Sequence, residues 1–198
     1  MHFHGETSGP GGELAHQALI YGSDAEFMEV ALPLIEQGLG SEEPTLVSVQ
    51  TRHIDNLGAA LGGTPEGLSL TPAEDWYETS ARSRDKLARW AAEQTDPGRR
   101  VRVIAEPPWA VGNPSRLRDW ARHEAVVNVA FASLPAMFVC PYDAQSLPEE
   151  VLAYARDTHP ELLDGTGSRP SGSYVDPREF CDRLDSTIEV QRHAPSVE

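Results

Sequence analysis

Apolar positions along this chain fall into two alternating patterns. Short runs that are apolar on both faces occur at Gln17–Tyr21, Thr45–Gln50, Gly67–Leu70, Val101–Ala105 and Pro135–Cys140. Such runs predict strands buried on both sides. The stretches between them repeat with helical period. Ser23 followed by Glu26 is a capping box that opens a helix to about Leu39, with Phe27, Ala31, Leu34 and Ile35 inward and Pro33 expected to kink it. Thr51 is expected to cap a second helix through Leu61, which Gly62-Gly63 ends. A loop or turn with Trp76 and Tyr77 then leads to a helix over about Ser80–Gln94, whose Leu87, Trp90 and Ala91 point inward. Asn113-Pro114 starts a further helix to about Ala132. The strand after it is expected to stop at Pro141-Tyr142-Asp143, and a helix from about Pro148 to Thr158 stops at His159-Pro160. This alternation predicts an α/β fold, a mostly parallel sheet with helices on both faces.

The ends lack this periodicity. Residues 1–15 are Gly-rich and polar and read as a mobile arm; 16–163 read as the folded domain. Residues 164–173 have linker composition, with a short helix expected at Pro177–Leu184. A length of 198 residues suits one domain. No run of 18 apolar residues occurs and mean hydropathy is −0.41, which argues against a membrane-spanning chain. No basic segment followed by an apolar one opens the chain, so no secretory leader is expected.

Charge narrows the function classes. Asp and Glu number 31 against 16 Lys and Arg, a net charge of −15. A phosphate backbone or an acidic membrane surface would be repelled, so neither is an expected partner. The two cysteines, Cys140 and Cys181, read as reduced thiols of a cytoplasmic protein.

Several nucleotide and hydrolase motifs are missing. The only lysine, Lys86, lies within a helix, and the turn after the first strand reads YGSDAEFM, with Asp24 and Glu26 where a phosphate would need nitrogen donors. A P-loop is therefore excluded. Neither G-x-G-x-x-G nor G-x-S-x-G occurs. No C-x-x-C or H-E-x-x-H is present, so no metal site is expected from local spacing. Nothing here names an enzyme class, and the chain is read as non-catalytic.

Ligands of open parallel sheets bind beyond the carboxyl ends of the strands. That makes Tyr21 and Asp24, Gln50-Thr51-Arg52, Glu106 through Trp109, and Cys140 through Asp143 candidates, against the plainer reading of ordinary strand-to-helix turns. On the helix from Pro114, residues Leu117, Trp120, Ala121, Glu124, Asn128 and Phe131 share one face. A carboxylate on a buried stripe needs a partner, and an Arg, a neutral donor or a ligand would each serve Glu124. His16 is placed just before the first strand. His53 and His123 are expected to be solvated, and His159 reads as a helix stop. His2-x-His4 is a weak metal pair on the arm.

The run HQALIYGSDAEFMEVALPLIEQGL, then VRVIAEPPWA, then WARHEAVVNVAFASLPAMFVCPYD, then the helix ending in THP, resembles the MEDS family of prokaryotic sensory domains over roughly residues 15–163. The resemblance implies a degenerate RecA/KaiC-like core that has lost its P-loop. It implies binding of a small molecule, a simple hydrocarbon derivative, with His16 and Cys140 at the family's ligand contacts. Tyr21, Glu106, Trp109, Glu124, Asn128, Tyr142 and Asp143 complete the candidate ligand-binding set. An anti-sigma or histidine-kinase-like protein is the implied output partner, and docking of that partner without a ligand is the alternative function. The ligand and any cofactor are unknown at this stage, and a homodimer is open.

Overall fold

The computed structural model describes residues 13–77, 79–94, 99–107 and 113–193. Its elements are β1 (Ala15–Tyr21), α1 (Asp24–Gly40), β2 (Thr45–Val49), α2 (Thr51–Leu61), β3 (Leu68–Pro72), α3 (Ala73–Trp76), α4 (Ser80–Gln94), β4 (Val101–Ala105), α5 (Pro114–Ala130), β5 (Ala136–Asp143), α6 (Glu149–Thr158), β6 (Glu161–Asp164), β7 (Gly167–Pro170) and α7 (Pro177–His193). The strands form one sheet in the order β3-β2-β4-β5-β1-β6-β7. Every pairing is parallel except β6 with β7. β1 lies inside the sheet, matched to β5 from Ala15↔Met137 to Tyr21↔Asp143.

Alternation along the strands sends neighbouring residues to opposite faces. Leu19, Tyr21, Val47, Val49, Ile104 and Val139 pack under α1 and α2, with Phe27, Leu34, Ile35 and Leu57. On the other face Ala18, Cys140 and Tyr142 meet Trp120 and Ala121 of α5, Val151 and Leu152 of α6, and Phe180 and Leu184 of α7. Farther along that face Val101, Val103 and Phe138 meet Phe131 and Ala91. The sheet is thus covered on both sides, as the apolar pattern requires. Among the described residues no helix is long and apolar enough to cross a membrane.

Several local expectations are corrected. His16 is the second residue of β1 rather than a residue before it. Thr51 opens α2, but the cap position belongs to Gln50, and the Thr51 hydroxyl donates to Glu74 instead. A one-turn helix, α3, stands where a loop or turn was expected. β5 runs through Pro141 to Asp143 instead of ending at Cys140. Its pairing with β4 stops at Val139, so Pro141 sits where that side carries no ladder to lose. The linker-like stretch carries β7, because Asp164 bonds the backbone and hydroxyl of Thr166 and closes a tight turn between β6 and β7. α7 runs on to His193, held by Phe180 and Leu184. The arm of residues 1–15 lies outside the described residues except for its last three, 13–15, of which Ala15 begins β1.

Candidate functional site

The candidate residues separate into two polar clusters on opposite faces of the sheet. The reason is the two-residue period of a strand: on β5, Asp143 serves one face while Cys140 and Tyr142 serve the other.

The first cluster surrounds Glu106, just beyond β4 and fully buried. Its Oε1 accepts from the Tyr21 hydroxyl at 2.8 Å and from the Gln50 side-chain amide. Its Oε2 accepts from the Gln50 backbone N–H and faces His53 Nδ1, both at 3.2 Å. The other ring nitrogen of His53 lies 3.1 Å from Asp24 Oδ1. Carboxylate oxygens only accept, so both bonds form when both nitrogens carry protons. The ring stacks on Phe27, 3.9 Å between centroids. Arg52 roofs this network, donating to Asp24 at 3.1 Å, to Asp143 at 3.0 Å and to Gln50 at 2.6 Å. Its side chain is 41 % exposed and that of Asp24 50 %, whereas Tyr21, His53, Glu106 and Asp143 beneath them are buried. The hydrogen bond from His53 and the charge of Arg52 hold the Asp24 carboxyl below its usual range. Burial and the Glu106 charge push the Tyr21 phenol far up.

The second cluster lies between β1, β5, α5 and the end of α6. Glu124 of α5 is 2 % exposed, and among the described residues its charged partners are histidines rather than an Arg. Its Oε2 lies 3.4 Å from His16 Nε2, 3.5 Å from His159 Nε2 and 3.7 Å from Cys140 Sγ. Cys140 Sγ is 3.5 Å from His16 Nε2. His16 Nδ1 bonds to Asn128 Oδ1 at 3.0 Å, and the Asn128 amide is oriented by donating to Thr158 O at 2.8 Å. His159 Nδ1 bonds to Ala155 O at 2.8 Å, which leaves its Nε2 without a hydrogen bond. Burial alone would raise the Glu124 carboxyl. The His16 hydrogen bond and the charges of His159, His123 and His16 outweigh it and hold the group at about 2. Burial, then the His16 charge, lower His159 to about 3. Burial and the Glu124 charge push the Cys140 thiol well up. Tyr142 stacks edge-on to Trp120 and His159 beside this cluster.

Of the expected site residues, Tyr21, Glu106 and Asp143 meet in the first cluster; His16, Glu124, Asn128, Cys140 and Tyr142 meet in the second. Trp109 lies outside the described residues. Sequence reasoning missed the importance of three histidines. His53 is fully buried rather than solvated, because α2 turns it under the sheet edge onto Phe27. His123 is also buried, 2.9 Å from Arg84 of α4, since α5 is covered on more than its one apolar stripe. His159 caps α6 as expected and also enters the second cluster. The position of His53 beside a strand's carboxyl end was a usable signal; for His159 no local signal exists.

Residues 15–160 match the family model described as "MEDS: MEthanogen/methylotroph, DcmR Sensory domain". No curated protein matches the chain.

Proposed function

The chain belongs to the MEDS family, and from that premise we propose that it is a non-catalytic sensory domain that binds a small molecule in a cytoplasmic signalling or transcription-regulating system of a prokaryote. The observation that carries the ligand reading is the Glu106 network. It joins the turns after β1, β2 and β4 and the end of β5 through one buried carboxylate, under a single half-exposed arginine. Open parallel sheets bind ligands at this edge. A short hydrocarbon bearing one hydroxyl, carbonyl or carboxylate oxygen suits it: the oxygen accepts from Arg52 while the alkyl part lies against the turns. The core is read as RecA/KaiC-like without a P-loop. Supporting this are the interior position of β1 and a following turn whose Ser23 caps α1 while Asp24 and Glu26 occupy its first turn.

Signalling requires that the ligand favour one arrangement of these turns over another. Arg52 supplies the two states, one tied to Asp24 and Asp143 and one turned to the ligand. Its release would pass to an anti-sigma or histidine-kinase-like output partner. The test is a melting-temperature series with alcohols, aldehydes and carboxylates of short alkyl chains. One class raises the melting temperature with concentration, as binding to the folded state alone demands. Arg52→Ala abolishes the rise. No shift with any probe, together with a stable complex with a histidine-kinase-like domain, replaces this reading with partner docking.

A further inference from the structure

We propose that His16, Glu124, Cys140 and His159 form a tetrahedral site for a zinc-type divalent transition-metal ion. The inference rests on the second cluster alone and stands whether or not the Glu106 edge binds a small molecule.

The first support is the donor set. Two imidazoles, a thiol and a carboxylate each offer one atom, and all four atoms lie within 4.8 Å of one another. Zinc takes such N, S and O donors at about 2.0–2.3 Å. A tetrahedron with those bond lengths has edges of roughly 3.3–3.6 Å. The four resolved edges here are 3.4, 3.5, 3.5 and 3.7 Å, so only a small inward movement is needed.

The second support is the aim of the imidazoles. Both rings have Nδ1 engaged with a carbonyl oxygen, that of the Asn128 amide for His16 and that of Ala155 for His159. With the proton held on Nδ1 by these bonds, each Nε2 is the atom left to meet an ion, the usual outer-shell arrangement of a metal-bound histidine. In His159 that inward atom is fully buried and has no hydrogen-bond partner, at a cost that a protein seldom leaves uncompensated. A lone pair facing the Glu124 carboxylate is an acceptor facing an acceptor. A cation between them removes the conflict, whereas one proton on His16 leaves His159 unserved.

Charge closes the case. A thiolate and a carboxylate carry two negative charges, the neutral imidazoles none, and a divalent ion brings the buried unit to zero. Metal binding therefore displaces the Cys140 proton. Four protein ligands leave no open position, which assigns a structural ion rather than a catalytic one. It pins α5 and the start of the α6–β6 connection to the middle strands β1 and β5.

The experiment uses the full chain. Protein made in medium supplemented with zinc chloride is dialysed, and its metal content is compared with its native and denatured masses. About one equivalent per chain is expected. Replacement by cobalt(II) gives the strong visible bands of a tetrahedral ion and a thiolate-to-cobalt charge-transfer band in the near ultraviolet. The charge-transfer band disappears in Cys140→Ser, and metal is lost in His159→Asn. Asn128→Ala, outside the ligand set, weakens binding roughly 10- to 100-fold. Replacing His2 and His4 by Ala leaves the metal in place. Absence of bound metal and of any cobalt spectrum in folded wild-type protein overturns the site, and so does full retention in folded His159→Asn. Should the ligand variants fail to fold, the thiolate band of the wild-type cobalt protein decides alone.

Discussion

Glu106 takes four donors on two oxygens, so its environment tolerates no donor of its own. Glu106→Gln turns one oxygen into an amide N–H that must face at least one of them. The expected cost is about 1–3 kcal/mol, read as a lower urea midpoint at unchanged slope. Tyr21→Phe keeps the shape and removes one donor, so it should cost less, about 1 kcal/mol. At this scale the sequence was half legible. Glu124 was visible as a charge on an apolar stripe, and Glu106 as an acid at a strand's carboxyl end. Their partners were not, because His53, Gln50, His16 and His159 arrive from separate turns, and spacing along the chain carries no trace of a meeting across the sheet.

Elements were more legible than their partners. Ser23 caps α1 by accepting from Glu26 N–H at 3.2 Å, and Asn113 caps α5 by accepting from Ser115 and Arg116. Asn113→Ala should cost about 1 kcal/mol. Glycine within helices divides by surroundings. A methyl on Gly58 meets nothing within 4 Å, so Gly58→Ala should stabilise by about 1 kcal/mol through helix propensity. The same change at Gly38 puts a carbon 2.7 Å from Thr45 Oγ1 and 3.1 Å from the Arg102 side chain. That guanidinium is buried, paired with Glu43 at 2.8 Å and donating to Leu34 O at 2.7 Å, so it does not yield easily. Gly38→Ala should therefore destabilise, by about 1–3 kcal/mol. Thermal melts of the two variants side by side give opposite signs. The element ends that were misplaced, Pro141 and the β6–β7 turn, depend on which neighbouring strand has already stopped. That is a property of the sheet and not of the segment.

Over the whole molecule, all five tyrosines have phenols pushed above their ordinary value of 10, each chiefly by burial. A group with a raised folded pKa contributes stability that is complete below its unfolded value. That contribution is lost as pH rises through 10 toward the folded one. Alkaline titration should thus show the exposed Tyr174 and half-buried Tyr154 ionising first, and the buried Tyr21 and Tyr142 only as the fold gives way, in a cooperative rise that coincides with loss of helical circular dichroism. Ionisation of all five tyrosines with the dichroism intact would contradict the burial of Tyr21 and Tyr142. Fold class was the most legible property of all, since it follows from period and segment length. What the sheet order would be was not, because it is decided by pairings between distant strands.

That order has a consequence for how the chain is made. Of the strands of this sheet β1 leaves the ribosome first, yet both its neighbours, β5 and β6, emerge only after β2, β3 and β4. Until β5 has emerged an apolar strand waits with both edges unpaired, a state that invites aggregation or a chaperone's hold. The second cluster inherits the same delay, for it draws on position 16 and is complete only once position 159 has emerged. A nascent chain cut short before His159 carries an intact α1 and α2 sequence but no seat for its opening strand.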